Sequence, residues 1–184
     1  MAKKGFTLLE LLIVIGILAI LTAAVVVVLN PAQLLAQARD SQRLSDLSSV
    51  SSAINLYLTT ATSTTIGTGP YSTANATCGF SSTTTCTVST STAVNSTGWV
   101  RVDLTQSSGG SPLPALPIDP TNSATYQYAY IGNDNVKTFE LNARLESEKY
   151  RGRMSNDGGN QNTCATYNET TCWYEIGNDP DLNM

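Results

Sequence analysis

The chain has 184 residues, ten of them Lys or Arg, fourteen Asp or Glu and none His, giving a formal charge of −4. Without histidine, the Ser-His and Cys-His nucleophile pairs, the common zinc cages and the usual neutral-pH general base are excluded, so no enzyme and no cofactor is expected. A pI near 4.6 argues against gripping nucleic acid by neutralising phosphates, so no direct nucleic-acid partner is expected either.

Hydrophobicity is concentrated at the N-terminus. Leu11 to Leu29 is a run of nineteen residues without a charge, preceded by Lys3 and Lys4. At about 1.5 Å per residue the run spans ~29 Å, the thickness of a bilayer core. The basic flank places the N-terminus in the cytoplasm and the rest of the chain outside. A secretory signal has an apolar region of about 7–15 residues, shorter than this one. Its only candidate cleavage site, Ala36-Gln37-Ala38, would release a soluble domain beginning at Arg39. Glu10 interrupts the apolar stretch from Phe6 onward. A charge deep in a membrane helix costs about 2.5–3.5 kcal/mol and usually has a partner and a role; the alternative is that Glu10 snorkels to the cytoplasmic interface.

Pro31 follows the membrane run and biases Asn30 away from helix geometry, predicting a kink or a short unwound stretch, or else a helix that stops at Leu29. Beyond it, Leu44, Leu47, Val50, Ile54 and Leu58 recur at helical spacing as one apolar stripe. Asp40, Arg43 and Asp46 form i, i+3 charge pairs on the opposite side. One helix is expected from near Thr7 to near Thr60.

Residues 59–97 hold 22 Ser or Thr among 39 positions and read as a long surface loop, too poor in apolar groups to offset its ordering entropy. Cys78 and Cys86, and Cys164 and Cys172, are two pairs with seven intervening residues each. In an exported domain they read as disulfides. Three connectivities are possible, and the repeated spacing favours two local loops, Cys78–Cys86 and Cys164–Cys172. A four-cysteine metal site would need closer pairs. Asn75-Ala76-Thr77, Asn95-Ser96-Thr97 and Asn168-Glu169-Thr170 match the N-glycan acceptor pattern. From Trp99 the pattern turns to strands: Trp99 to Leu104, Tyr126 to Ile131, Lys137 to Leu145 and a short one at Trp173 to Ile176. A Gly/Pro-rich loop spans Gln106 to Asp119, and Gly132-Asn133-Asp134-Asn135 supplies hairpin chemistry. Tyr126, Tyr128 and Tyr130 fall on one strand face without interleaved cations, which favours packing over ligand stacking. Antiparallel strands packed on the amphipathic half of the helix make an α+β fold.

The string KKGFTLLELLIVIGILAIL, with Gly5, Phe6, Thr7, Leu8 and Glu10 in place, resembles the N-terminus of type IV prepilins and of the pseudopilins of type II secretion systems. The resemblance implies a prepilin peptidase that cuts after Gly5 and methylates the new amine of Phe6. Residues 1–5 are then a leader, 6–30 a transmembrane and filament-core helix, 31–60 an amphipathic helix, and 61–184 an extracytoplasmic head. It also implies that the subunit polymerises with copies of itself into a helical fibre, aided by an assembly ATPase and an inner-membrane platform. The precursor would lie in the cytoplasmic membrane and the product in an extracellular filament. The hairpin followed by Asp157-Gly158-Gly159 is similar to pseudopilin heads, some of which hold calcium. Asp119, Asp134 and Asp157 are the loop carboxylates open to that role, although no EF-hand-like spacing accompanies them. A minor pseudopilin and a membrane-anchored monomeric adhesion module are the alternative readings.

Overall fold

The computed structural model describes residues 5–80, 85–164, 171–180 and 182–184. The chain divides into two compact units, Met1–Ala36 and Gln37–Met184. The first unit is dominated by α1 (Leu8–Leu29), which ends where Asn30 turns left-handed at φ 40°. Helix α2 starts at the next residue and runs over Pro31–Thr60. Pro31 suits a first helical position, where its missing N–H costs nothing, and the Asn30 carbonyl accepts from the Gln33 N–H at 3.0 Å. The expected single helix is therefore two helices divided by one residue.

The second unit is an α+β head. From Gln37 onward, α2 buries Asp40, Arg43, Leu47, Val50, Ile54 and Tyr57, a strict alternation of three- and four-residue steps. Leu47, Val50 and Ile54 of the expected stripe are fully buried, and Leu44 and Leu58 are half-buried. Asp40 and Arg43, expected on the solvent side, are fully buried. Their partners come from distant loops, which helical spacing alone does not show.

A five-stranded sheet runs in the order β2-β1-β3-β4-β5. Its strands are β1 (Tyr71–Ser72), β2 (Thr87–Val88), β3 (Tyr128–Asn133), β4 (Thr138–Ala143) and β5 (Tyr174–Gly177). All neighbours are antiparallel except β1 and β2, which are parallel. Tyr128, Tyr130, Phe139, Leu141 and Ala143 join the α2 stripe in the principal core. The expected hairpin forms two residues late. Gly132 and Asn133 remain in the ladder opposite Phe139 and Thr138, and the turn closes at Lys137 with φ 60°. Gly132 serves a close approach rather than the turn: a Cβ there would meet the Ile66 and Gly67 carbonyls and the Tyr130 hydroxyl within 2.8 Å.

Two expectations for the head need correction. Trp99 to Leu104 is no sheet strand: it lies outside the five-stranded ladder, Asp103 making an isolated bridge to Asn95. The segment instead enters the core irregularly, with the Trp99 indole N–H donating to the Pro117 carbonyl at 2.9 Å and a 3-10 turn at Leu104–Gln106. The Ser/Thr-rich stretch is not all surface loop either. It contributes β1 and β2, and Cys78, Phe80 and Cys86 cover Ala129 and Ile131 on the second sheet face. Sparse apolar groups suffice there because the main chain supplies ladder hydrogen bonds. A third helix, α3 (Glu148–Met154), carries no apolar stripe long enough to be read from the sequence.

Candidate processing and assembly site

Thr7 caps α1. Its hydroxyl accepts from the Glu10 N–H at 3.2 Å, while one Glu10 carboxylate oxygen, Oε2, accepts from the Thr7 N–H at 2.9 Å and the Thr7 hydroxyl at 2.8 Å. This reciprocal capping box satisfies two of the helix's otherwise orphaned amides. It also gives Glu10 polar partners from its own chain. Gly5 and Phe6 precede the helix and are exposed, Phe6 by 83%, and no atom approaches the Gly5 Cα closely enough to hinder a Cβ.

From Leu8 to Val26 the helix has a mean hydropathy of 2.8 and none of the span is buried inside the protein. Nineteen residues at about 1.5 Å each make ~28 Å, enough to cross a hydrocarbon core. Thr22 lies within this span, and its hydroxyl donates back to the Leu18 carbonyl at 2.7 Å, so its polarity is absorbed by the helix.

Residues 1–26 match the family model described as the prokaryotic N-terminal methylation motif. The chain carries the signal motif of type IV pilins and pseudopilins. No curated protein and no solved structure gives a match. Gly5, Phe6 and Glu10 all fall within the matched residues, Glu10 inside the apolar helix, and the motif with its apolar helix fits a membrane-anchored precursor.

The head holds a second constellation that local sequence spacing concealed. The Arg43 guanidinium donates to both Asp119 oxygens at 2.6 and 3.0 Å, to Asp40 at 2.8 Å, to Glu146 at 2.6 Å and to the Thr121 hydroxyl at 3.1 Å. Arg39 adds a bidentate pair to Glu146 at 2.6 and 2.7 Å. Asp40 in turn accepts from the Glu146 and Ser147 main-chain N–H groups. Burial pushes the Glu146 carboxyl up, but hydrogen bonds from Arg39 and Arg43 outweigh it and hold it below the usual carboxylate range. With all five Arg43 donors engaged, the cluster joins α2 to the loops around Asp119 and Glu146. The Asp40–Arg43 spacing was its only trace in the sequence.

The three loop carboxylates considered for calcium are engaged separately. Asp119 holds Arg43; Asp134 accepts from the Lys137 ammonium at 2.7 Å and the Ile66 N–H at 2.9 Å; Asp157 accepts from the Glu175 and Gly159 N–H groups. Among the described residues no group of three or more His, Cys, Asp or Glu could hold a metal ion. Two disulfides close short loops, Cys78–Cys86 and Cys164–Cys172. Tyr128 and Tyr130 are fully buried, the first donating to Asp46 at 2.8 Å and the second to the Ile66 carbonyl. Tyr126 is half-buried, its ring 4.8 Å from the Arg43 guanidinium carbon. Asn75 and Asn95 lie in described segments of the head, whereas the Asn168-Glu169-Thr170 triplet falls outside the described residues.

Proposed function

We propose that the chain is a structural filament subunit, a major pilin or pseudopilin, that polymerises through α1 and carries out no catalysis. The observation that supports this best is the methylation motif leading into an apolar helix with no burial in its own chain. Such a surface is stable in lipid before assembly and against identical helices afterwards. Since lipid tails are as apolar as leucine, transfer between the two gains little from hydrophobicity and must be directed by packing and polar contacts.

Cleavage after Gly5 removes Lys3 and Lys4, leaving eight basic and fourteen acidic residues, a net of −6 before the termini. It also creates a cationic amine on Phe6, four residues from Glu10. In a bundle of these helices each Glu10 meets a Phe6 amine of its own or a neighbouring copy. A mis-registered copy leaves one charge unpaired, at a cost of about 3–5 kcal/mol. The pair would thus set axial register. A prepilin peptidase, an assembly ATPase and a membrane platform are the partners this reading requires, with a filament outside the cell as product.

Mass spectrometry of the N-terminus and electron microscopy of shed material test the reading together. The expected result is N-methylated Phe6 in filaments, and a Glu10→Ala variant that is processed but does not assemble. A retained Met1 or Ala2 would instead identify a plain membrane anchor, an N-terminus at Arg39 a secreted domain, and normal assembly of Glu10→Ala would remove the register role.

A further inference from the structure

The sheet face turned away from the α2 stripe conceals two carboxyl groups. Glu140 of β4 and Glu175 of β5 are 1% and 2% exposed. Glu140 pairs with Gly177 and Asn142 with Glu175 across the ladder, so Glu140, Asn142 and Glu175 are close neighbours on one face. Glu140 Oε2 accepts from the Met184 N–H at 3.1 Å, and Glu175 Oε2 from the Gln161 N–H at 2.9 Å. No donor reaches Glu140 Oε1, Glu175 Oε1 or the Asn142 side-chain oxygen. The register sets Glu140 and Glu175 diagonally across the β4–β5 ladder on one face, a spacing that long side chains can bridge. Two carboxylates are acceptors only, so a hydrogen bond between them requires an acid proton.

We propose that Glu140 and Glu175 share a proton in the folded head, and that this protonated pair fastens an outer layer to the sheet. That layer is residues 78–80 beside the Cys78–Cys86 disulfide, together with tail residues 182–184. The Met184 N–H is held by Glu140 itself, and the remaining attachments run through neighbours of the pair. The Asn142 amide donates to the Gly79 carbonyl at 3.1 Å, Gly79 lies hard against the Trp173 indole, and Met184 packs with Phe80, Ala129 and Ile131. The surroundings favour the neutral form. Residues 61–100 contain no charged residue, and β3 contributes apolar Ala129 and Ile131. Asp157 accepts the Glu175 N–H at 2.9 Å, and Asp179 adds a further negative charge beside Glu140. Of the cations, the Arg144 guanidinium sits over the Trp173 ring at 4.6 Å, and Arg153 lines the cleft beside Asp157, Tyr174 and Glu175. Burial accordingly drives both carboxyls well above the carboxylate range. A carboxyl raised in the folded state stabilises it fully below the ordinary range, and that contribution is lost as pH rises through the folded value. The outer layer is thus fastened in acid and loosens in alkali.

The full-length chain in detergent micelles tests this by thermal unfolding between pH 5 and pH 9. Tm is expected to fall by about 5 °C or more as pH rises. Glu175→Gln, whose amide donates to Glu140 at every pH, should flatten that slope and exceed the unaltered chain at pH 9. Carboxyl carbon NMR of the unaltered, glutamate-labelled chain should show two glutamates titrating above pH 6, and this decides the matter even if the variant does not fold. Titration of every glutamate in the ordinary range would overturn the proposal, as would an unchanged slope in Glu175→Gln. So would stabilisation by calcium that a chelator reverses and that abolishes the slope, since the orphaned oxygens would then hold a cation.

Discussion

The helix before Ala36 and the head after Gln37 treat charge in opposite ways. In the first unit the single carboxylate of α1, Glu10, is satisfied by Thr7 three residues away, and every apolar side chain described around it is exposed. In the second, Arg43 is fully buried and its partners lie 3, 76 and 103 residues distant. A helix whose contacts are local or lie outside the chain can be read from sequence alone. A buried ion cluster is written only in the fold, and its removal strikes the fold rather than assembly.

That contrast can be broken experimentally, most forcefully at Arg43. Arg43→Ala strands the buried Asp40 and Asp119 beside a half-paired Glu146, and about 3–5 kcal/mol of head stability should be lost, measured by denaturant unfolding in micelles. If the loss were below about 1 kcal/mol, the cluster would count as no more than a surface network. Cys78→Ser with Cys86→Ser removes a short loop closure and should cost roughly 2–3 kcal/mol, with the loss confined to the head. Glu146→Gln sharpens the comparison through pH. The carboxyl is held low by Arg39 and Arg43, so its contribution is present above the ordinary carboxylate range and fades as pH falls through the folded value. The variant should therefore lose stability at neutral pH and show a shallower acid limb, opposite in direction to the limb expected from Glu140 and Glu175. Tyr128→Phe deletes the hydroxyl that donates to Asp46, a carboxyl that burial already pushes up, and should cost about 1 kcal/mol. Smallest of all, Glu10→Ala should leave head unfolding unchanged within about 0.5 kcal/mol while abolishing filaments.

How much of this was legible follows the same division. The two paired strands after Tyr126 were readable because alternation and turn residues agree, and only the turn slipped. Gly132 looked like a turn residue but is small because the main chain at Ile66 and Gly67 presses on it. Trp99 to Leu104 mimicked a strand because its apolar residues alternate from Val100 onward, yet its burial comes from irregular packing. Asp40 and Arg43 looked like a solvated pair because i, i+3 spacing says nothing about what lies above it. Glu140 and Glu175 stood out in no pattern, since their meaning depends on β4 lying beside β5.

By itself the sequence determined the long apolar helix, its carboxylate and its methylation motif, together with the α+β class. Each of these depends on composition or on spacings of four residues or fewer, where chain geometry is nearly fixed. Only the tertiary structure decided which charges are buried and which face of the sheet the hydroxyl-rich segment covers. Those outcomes require residues up to 107 positions apart to meet, and the free energy of a charge depends on the surroundings that meeting creates.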